Sequence, residues 1–161
     1  MRFDVTIFPE NLNTVGDLAR AVEDHGFAGM WTSETAHNPF LPLTHAAAVT
    51  KNILLGTAIA VAFPRSPMVT AQIAWDLAEQ SNGRFALGLG TQIKPHIEKR
   101  FSTSWSAPTP RLREYIESLR AIWSNFQNNT PLRYAGEHYK FSLMTPFFKP
   151  NPISHPEIPI Y

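Results

Sequence analysis

The sequence of 161 residues contains no cysteine, which excludes disulfide bonds and thiolate chemistry and is typical of a cytoplasmic protein. No apolar run approaches the roughly 18 residues of a membrane span. The amino terminus predicts a strand rather than a signal peptide. Positive and negative charges nearly balance, since the formal net charge is +1. We therefore expect a cytoplasmic globular protein without nucleic-acid or membrane partners.

The sequence also lacks the usual motifs for metals and nucleotide phosphates. Its six histidines are scattered, without H-x-x-x-H spacing or a cluster of carboxylates, so we predict no metal site. A phosphate-binding P-loop is missing. Residues 88–93 (GLGTQI) supply only two of the three glycines of the dinucleotide fingerprint, with Ile93 in place of the third. These absences argue against a Rossmann-type dinucleotide site.

What the sequence does have is an alternation of apolar runs and amphipathic segments. The apolar run 53–63 predicts a strand covered on both faces, as in a parallel sheet flanked by helices. Ser66-Pro67 predicts a helix start, because the serine oxygen can accept an early backbone N–H and proline fits the first turn. Apolar residues at every fourth position predict the buried face of this helix: Val69, Ile73 and Leu77.

The same pattern predicts four strands, each followed by a helix, within residues 1–128. The strands are 2–8, 29–32, 53–63 and 85–89. The first helix follows Thr14, buries Leu18, Ala21 and Val22, and ends at His25-Gly26; the second is 43–50, and the fourth starts at Thr109-Pro110. Residues 129–157 predict a hairpin and a proline-rich connection, and 158–161 predict the start of a fifth strand. We treat 1–161 as a single domain.

Four βα units admit two α/β architectures. One is an open, doubly wound sheet, and the other is half of a (β/α)₈ TIM barrel, which usually needs about 250 residues. The incomplete dinucleotide fingerprint favours the barrel.

Short motifs of one known family occur in family order along nearly the whole chain. They are residues 26–34 (GFAGMWTSE), 55–59 (LGTAI), 64–67 (PRSP), 76–77 (DL), 81–85 (SNGRF), 87–90 (LGLG), 113–115 (REY), 119–123 (LRAIW) and 136–139 (GEHY). On these residues the chain resembles the luciferase-like monooxygenase superfamily, and specifically its deazaflavin (coenzyme F-420)-dependent oxidoreductases.

The resemblance implies a (β/α)₈ TIM barrel of the bacterial luciferase-like type, with a flavin or deazaflavin ring at the carboxyl-terminal mouth. This chain corresponds to the N-terminal half of such a barrel. Two interpretations stay open: a truncated gene product, or a half-barrel that pairs with a second chain. We expect a homo-oligomer or pairing with a missing C-terminal half, because a lone half-barrel leaves its edge strands unpaired.

The resemblance also implies cofactor-binding residues at the ends of the third and fourth strands. Similar enzymes carry a non-proline cis peptide that props the ring, which here would join Ala58 to Ile59 within Gly56-Thr57-Ala58-Ile59. The alternative is a plain buried strand with small residues chosen for packing. Gly90, Thr91 and Gln92 end strand four and are expected to meet the ring edge or to pack within the loop.

The candidate catalytic residues are Glu34 and His37, which follow strand two. Several relatives place an acidic residue and then a histidine here, and in this sequence Glu34 matches the acidic position. Thr35 stands where the histidine would be, and His37 lies two residues later. In the alternative reading, Glu34 caps a backbone N–H and His37 is a solvated loop residue. Ile93, in a region where sugar-phosphate-oxidising relatives carry a glutamate, argues against that substrate class.

The other charged residues are expected to have structural or solvent-exposed roles. We expect Arg65 and Arg84, which flank the third helix, to pair with Asp76 or Glu79. A basic cluster follows strand four and is expected to be a solvated surface, with an anionic cofactor tail or substrate as the alternative. It consists of Lys94, His96, Lys99 and Arg100.

The function implied by the resemblance is an oxidoreductase that moves a hydride between coenzyme F-420 and a small organic substrate of unknown identity. The first alternative is an FMN-dependent monooxygenase. The second is a non-catalytic half-barrel fragment, because the family's contacts to the cofactor phosphate lie largely in the second half of the barrel.

Overall fold

Strands and helices alternate along the first 128 residues of the computed structural model, which describes residues 1–161. The strands are β1 (Asp4–Ile7), β2 (Gly29–Thr32), β3 (Leu54–Thr57), β4 (Ala60–Val61), β5 (Phe85–Ala86), β6 (Leu89–Gly90), β7 (Tyr134–Ala135) and β8 (Lys140–Phe141). The helices are α1 (Val15–Asp24), α2 (Leu41–Val49), α3 (Pro67–Gln80) and α4 (Pro108–Asn128). Short helical turns cover Leu12–Thr14, His96–Arg100 and Pro146–Phe148.

The main sheet is parallel, in the order β1-β2-β3-β5. Its register places Ile7 opposite Thr32, and Thr32 opposite Thr57, so the first three strands reach their carboxyl ends at one level. Four parallel strands that alternate with helices confirm the predicted α/β class and form part of a (β/α)₈ barrel. The mouth of the barrel is the edge at which those carboxyl ends meet.

The third and fourth barrel strands are each interrupted once. Ala58 and Ile59 separate β3 from β4, and two residues separate β5 from β6. The pairing resumes beyond the interruption, where the N–H groups of Ala60 and Ala62 donate to the carbonyls of Gly88 and Gly90, each at 2.9 Å. The predicted strands 53–63 and 85–89 are therefore broken at the level of the mouth.

Beyond α4, β7 and β8 form the predicted antiparallel hairpin. The last residues then return to the sheet, where the N–H of Tyr161 donates to the carbonyl of Leu87 at 3.0 Å and Ile160 forms a parallel bridge with Leu87. That these residues open a fifth barrel strand stays a prediction. None of the helices combines the length and apolar character that a membrane crossing requires.

The buried face of α1 differs from the prediction. The residues that pack inward are Val15, Ala19 and Val22, whereas Leu18 is 39 % exposed and Ala21 is also exposed. The turn at Leu12–Thr14 leads into the helix, which packs against α2. The prediction was wrong for Leu18 and Ala21 because apolar spacing alone does not fix which of two adjacent faces is buried.

The prediction was also wrong for part of α3. Val69 is 47 % exposed and Ile73 only half-buried, while Leu77 is buried as expected. Small side chains dominate the packed face, which lets the helix approach its neighbours closely. Its buried residues are Pro67, Thr70, Ala71, Ala74, Trp75, Leu77 and Ala78.

One predicted helix start is confirmed and another is wrong. The Ser66 side chain accepts the N–H of Met68 at 3.2 Å, as the Ser-Pro pair predicts. Thr109 does not cap α4, which begins one residue earlier at Pro108 after Ala107, without a side-chain cap. Proline in the first turn is sufficient there, since its missing N–H has no helical partner to lose.

Candidate active site at the mouth of the barrel

Ala58 and Ile59 are exposed within a strand that is otherwise covered. Of residues 53–63, these two alone are exposed, and Ile59 keeps 37 % of its surface accessible. They lie at the carboxyl end of the third barrel strand, where barrel enzymes place their reacting groups. The structure therefore presents a short apolar surface at the mouth.

The end of the second strand holds the backbone of this surface. The Ala58 N–H donates to the Thr32 carbonyl at 2.7 Å, and the Ser33 hydroxyl donates to the Ala58 carbonyl at 2.5 Å. The Glu34 N–H donates to the Ile59 carbonyl at 3.1 Å. Three consecutive residues at and just beyond the end of β2 thus bind the backbone of Ala58 and Ile59.

The peptide bond between Ala58 and Ile59 is cis, and this prediction is confirmed. Its role as a support for a cofactor ring stays a prediction.

Thr57 is buried and links the third and fourth strands. Its hydroxyl donates to the Gly88 carbonyl at 2.7 Å and accepts the Gly88 N–H at 2.9 Å. A side chain on Gly88 would overlap the Thr57 carbonyl oxygen. Thr57 is therefore buried and committed to the sheet.

The two glycines among the predicted cofactor-binding residues have different neighbours. Gly56 is buried beneath the indole of Trp31, and a Cβ there would overlap that ring. Gly90 is half-buried at the mouth, where a Cβ would lie 2.6 Å from Cδ1 of Ile59. The absence of a side chain at Gly90 thus lets the Ile59 side chain lie against the Gly90 backbone.

Thr91 and Gln92 follow Gly90 and are both half-buried. Gln92 has a φ of 60° and accepts the Ile93 N–H on Oε1 at 3.0 Å, while the Thr91 hydroxyl donates to the Gln92 carbonyl at 3.2 Å. The Gln92 Nε2 donates to no protein group. One amide donor therefore stays available beside the exposed surface.

Glu34 is enclosed by an ion pair. Its side chain is 6 % exposed, and it makes a two-point contact with Arg65, Nη1 to Oε2 at 2.7 Å and Nη2 to Oε1 at 2.8 Å. Oε2 also accepts the Val61 N–H at 2.7 Å. The expected pairing of Arg65 with Asp76 or Glu79 was wrong, because the loop before α3 turns this arginine toward the mouth rather than along the helix.

His37 lies exposed in a cavity of about 230 Å³ beside the same strand ends. The cavity combines polar groups with proline and phenylalanine rings. Its lining includes Phe8, Glu10, Ser33, Thr35, Asn38 and Pro39. Ser33 connects the cavity to the exposed surface, since its hydroxyl bonds to Ala58. His37 makes no hydrogen bond to the protein, so its ring nitrogens are free for a ligand.

A larger cavity of about 910 Å³ lies at the opposite, amino-terminal end of the strands. It is lined by charged residues that include Arg2, Asp4, Glu23 and Arg84. Arg84 donates to the carbonyls of Ile53 and Thr50 at 2.8 and 3.0 Å, so it is bound to backbone there and not to Asp76 or Glu79 as expected. This end of a barrel usually serves stability, so size does not make this cavity the site.

Two members of the predicted basic cluster have partners within the protein. Lys94 lies 3.8 Å from Glu98, and the Arg100 guanidinium donates to the Thr35 carbonyl at 2.6 Å. Arg100 therefore braces the loop that carries His37.

The sequence did not identify Ser33, Arg65 or Gly88 as site residues. Ser33 and Arg65 each stand in a family motif, but their partners Ala58 and Glu34 are 25 and 31 residues away along the chain. No local pattern links residues at such separations. The signal for Gly88 was the LGLG motif, which identified a strand without showing which glycine meets a neighbouring backbone.

The family model described as luciferase-like monooxygenase matches residues 1–161. An uncharacterized protein of Mycobacterium tuberculosis is 52 % identical over 148 residues, which cover 92 % of this chain and 44 % of that protein. The chain thus spans about half the length of the curated relatives that it matches.

Two solved structures show the same fold. One is the coenzyme F-420-dependent tetrahydromethanopterin reductase of Methanopyrus kandleri, with a TM-score of 0.79 and 23 % identity, covering 99 % of this chain and 49 % of that one. The other is the oxygenating constituent of 3,6-diketocamphane monooxygenase of Pseudomonas putida in complex with FMN. Its TM-score is 0.75 at 19 % identity, covering 93 % of this chain and 49 % of that one. Matched along its whole length, the chain belongs to the luciferase-like monooxygenase family, whose members are oxidoreductases or monooxygenases.

Proposed function

We propose that this chain holds the ring of coenzyme F-420 against Ala58 and Ile59 and contributes to hydride transfer with a small organic substrate. The observation that carries the proposal is the exposure of these two residues within a covered barrel strand, at the level where the neighbouring strands end. An apolar step on a rigid sheet suits a flat aromatic ring, because ligand sites are largely apolar with a few placed polar groups.

The residues around this surface fit such a ring. Gly90 has no side chain, which lets Ile59 lie against its backbone, where a Cβ would approach Cδ1 of Ile59 to 2.6 Å. Thr91 and Gln92 lie next to it, and the free amide of Gln92 can donate to an acceptor on the ring edge. Apolar support beneath the ring and polar groups at its edge are the features that orient a tricyclic cofactor.

A bound deazaflavin would supply hydride chemistry at C5 of its ring, and the protein would supply binding and orientation. His37 faces the adjacent cavity with both ring nitrogens free, so it can hold or move a proton at the substrate. The rings of Phe8 and Pro39 give that cavity part of its apolar lining. The cavity of about 230 Å³ favours a small substrate.

The comparisons support a flavin-type ring without distinguishing its two forms. One similar structure is named for coenzyme F-420 and the other contains FMN. The second candidate function is therefore an FMN-dependent monooxygenase, which would use the same surface.

A titration of the purified chain tests the proposal. We expect the fluorescence of coenzyme F-420 to be quenched on binding. The fluorescence of FMN should change weakly or not at all. Selective quenching of FMN would support the monooxygenase instead. A response to neither would contradict both and favour the non-catalytic half-barrel.

Two matched variants locate the binding surface. Ile59→Asp places a charge on the apolar step and is expected to abolish quenching. Val69→Asp makes the same kind of change at an exposed residue of α3 outside the proposed surface and is expected to leave quenching intact. Equal loss in both variants would contradict the assignment of the surface.

A further inference from the structure

We propose that Glu34 and Arg65 are positioning residues that fix the backbone of the ring-binding surface, and that Glu34 takes no part in proton transfer. This inference rests on the proposed function and develops the alternative reading of the sequence, in which Glu34 binds a backbone N–H. The clamp, as we call it, consists of Glu34, Arg65 and the backbone of Ile59 and Val61.

Glu34 contacts the third strand on both sides of Ala60. Its backbone N–H donates to the Ile59 carbonyl at 3.1 Å, and its carboxylate accepts the Val61 N–H at 2.7 Å. One residue just beyond the second strand thus fixes the third strand where it leaves the exposed step. The surface formed by Ala58 and Ile59 cannot move without breaking one of these bonds.

Arg65 completes the clamp from the other side. Its guanidinium binds both carboxylate oxygens of Glu34, and Nη1 also donates to the Val61 carbonyl at 2.8 Å. It lies over the ring of Phe40, 5.5 Å from the centroid. The two side chains are 16 % and 6 % exposed for Arg65 and Glu34, so little water can replace a lost partner.

These contacts engage both carboxylate oxygens of Glu34, and its side chain is only 6 % exposed, which leaves little of it accessible to a substrate. Oε2 accepts from Val61 and Arg65, and Oε1 accepts from Arg65. A general acid or base must reach the proton that it transfers, directly or through one water. His37, exposed in the adjacent cavity, meets that requirement, and Glu34 does not.

The experiment compares Arg65→Met with Arg84→Met. Both arginines donate to backbone carbonyls of the third barrel strand, Arg65 at the mouth and Arg84 at the opposite end, where it binds Ile53. The first readout needs no cofactor: amide hydrogen exchange at Glu34 and Val61. We expect exchange at both amides to accelerate by about tenfold or more in Arg65→Met and to stay near wild type in Arg84→Met.

The second readout is the dissociation constant of coenzyme F-420. We expect it to rise by about tenfold in Arg65→Met, with partial rescue in Arg65→Lys, because a displaced surface loses its fit to the ring. Glu34→Gln distinguishes the roles of Glu34. A positioning role predicts weaker binding in both Glu34→Gln and Arg65→Met, whereas a proton-transfer role predicts unchanged binding with lost turnover.

Each outcome decides the proposal. Unchanged exchange at Glu34 and Val61 in Arg65→Met would overturn it, whatever the cofactor result, as would unchanged affinity in Glu34→Gln. If the wild-type chain binds neither F-420 nor FMN, the proposed function fails, and exchange still decides whether the clamp orders this backbone. Should Arg65→Met fail to fold, the double variant Glu34→Gln/Arg65→Met removes both buried charges and takes its place.

Discussion

Gly88 has no space for a side chain, because the Thr57 carbonyl oxygen lies where its Cβ would be. Both atoms belong to the backbone of packed strands, so neither can give way cheaply. This residue connects the sheet to the site, since Thr57 precedes the exposed step and binds Gly88 through two hydrogen bonds.

We expect Gly88→Ala to lower the free energy of unfolding by about 1–3 kcal/mol or more, as overpacking does. Gly16→Ala in α1 is the control, because a Cβ on Gly16 would meet only the Val49 side chain, at 3.8 Å. Alanine there is expected to be neutral or to stabilise by up to about 1 kcal/mol, through helix propensity. Denaturant unfolding of both variants measures the difference, and equal stability would contradict the predicted overlap.

Glu23 ties α1 to the loop before β3. Its carboxylate accepts the N–H groups of Lys51, Asn52 and Ile53 at 2.6–3.1 Å. Partial burial acts to raise the pKa of Glu23. The three donors and the nearby Arg84 guanidinium outweigh that effect and hold the pKa below its ordinary value of 4.5.

A lowered pKa in the folded state means that ionised Glu23 stabilises the fold above pH 4.5. That contribution is lost as the pH falls through the lower, folded-state pKa. We expect Glu23→Gln to reduce the free energy of unfolding at pH 7. The reduction should shrink as the pH falls through the folded-state pKa of Glu23. Unfolding curves between neutral and acidic pH test this, with Glu79→Gln as a control that accepts no backbone N–H.

At the scale of elements, α3 is positioned by its small residues. Ala71 and Ala74 are fully buried, whereas the larger Val69 is exposed. The close approach allows Trp75 to pack against Phe126 of α4, with ring centroids 5.4 Å apart. Helix spacing, rather than helix hydrophobicity, thus sets where the loop carrying Arg65 enters the site.

Enlarging this packed face is therefore expected to be costly. We expect Ala74→Leu to destabilise the protein by about 1–3 kcal/mol, because the helix must move or the side chain must adopt a strained rotamer. Val69→Leu adds a single methylene on the exposed side and should change stability by less than about 0.5 kcal/mol. The denaturant midpoints of the two variants measure the difference. An equal loss of stability in both would contradict the assignment of Ala74 to the buried face of α3 and of Val69 to its exposed face.

At the scale of the whole molecule, the sheet is open. β1 has a strand neighbour on one side only, and Phe3, Phe8 and Tyr161 are exposed beside the edges of the sheet. An unpaired edge with apolar residues favours pairing with another chain. The expected homo-oligomer or pairing with a complementary half stays a prediction on this basis.

We expect the isolated chain of 18.1 kDa to self-associate at micromolar concentration. Phe3→Lys should weaken the association, because a charge at an edge discourages pairing. Leu143→Lys changes an exposed residue outside the sheet and should have no such effect. Sedimentation equilibrium measures both, and a concentration-independent monomer in the wild type would show the prediction to be wrong.

The sequence by itself determined the order of strands and helices, the Ser66 cap and the Gly26 turn, whose φ is +77°. These features are local, since each depends on hydrogen bonds and backbone angles within a few residues. The family motifs added the parallel barrel and the site at the ends of strands two to four. They did so because short segments, taken in order, identify a common ancestor.

Only the tertiary structure decided which side of α1 and α3 is buried, and that Arg65 closes on Glu34 rather than on its own helix. It also decided that, of the segment 56–59, the last two residues face the mouth while Gly56 lies under Trp31. These outcomes depend on contacts between residues about 25 to 31 positions apart. The packing of the sheet and helices determines which distant residues a side chain contacts, and no local sequence pattern encodes those contacts.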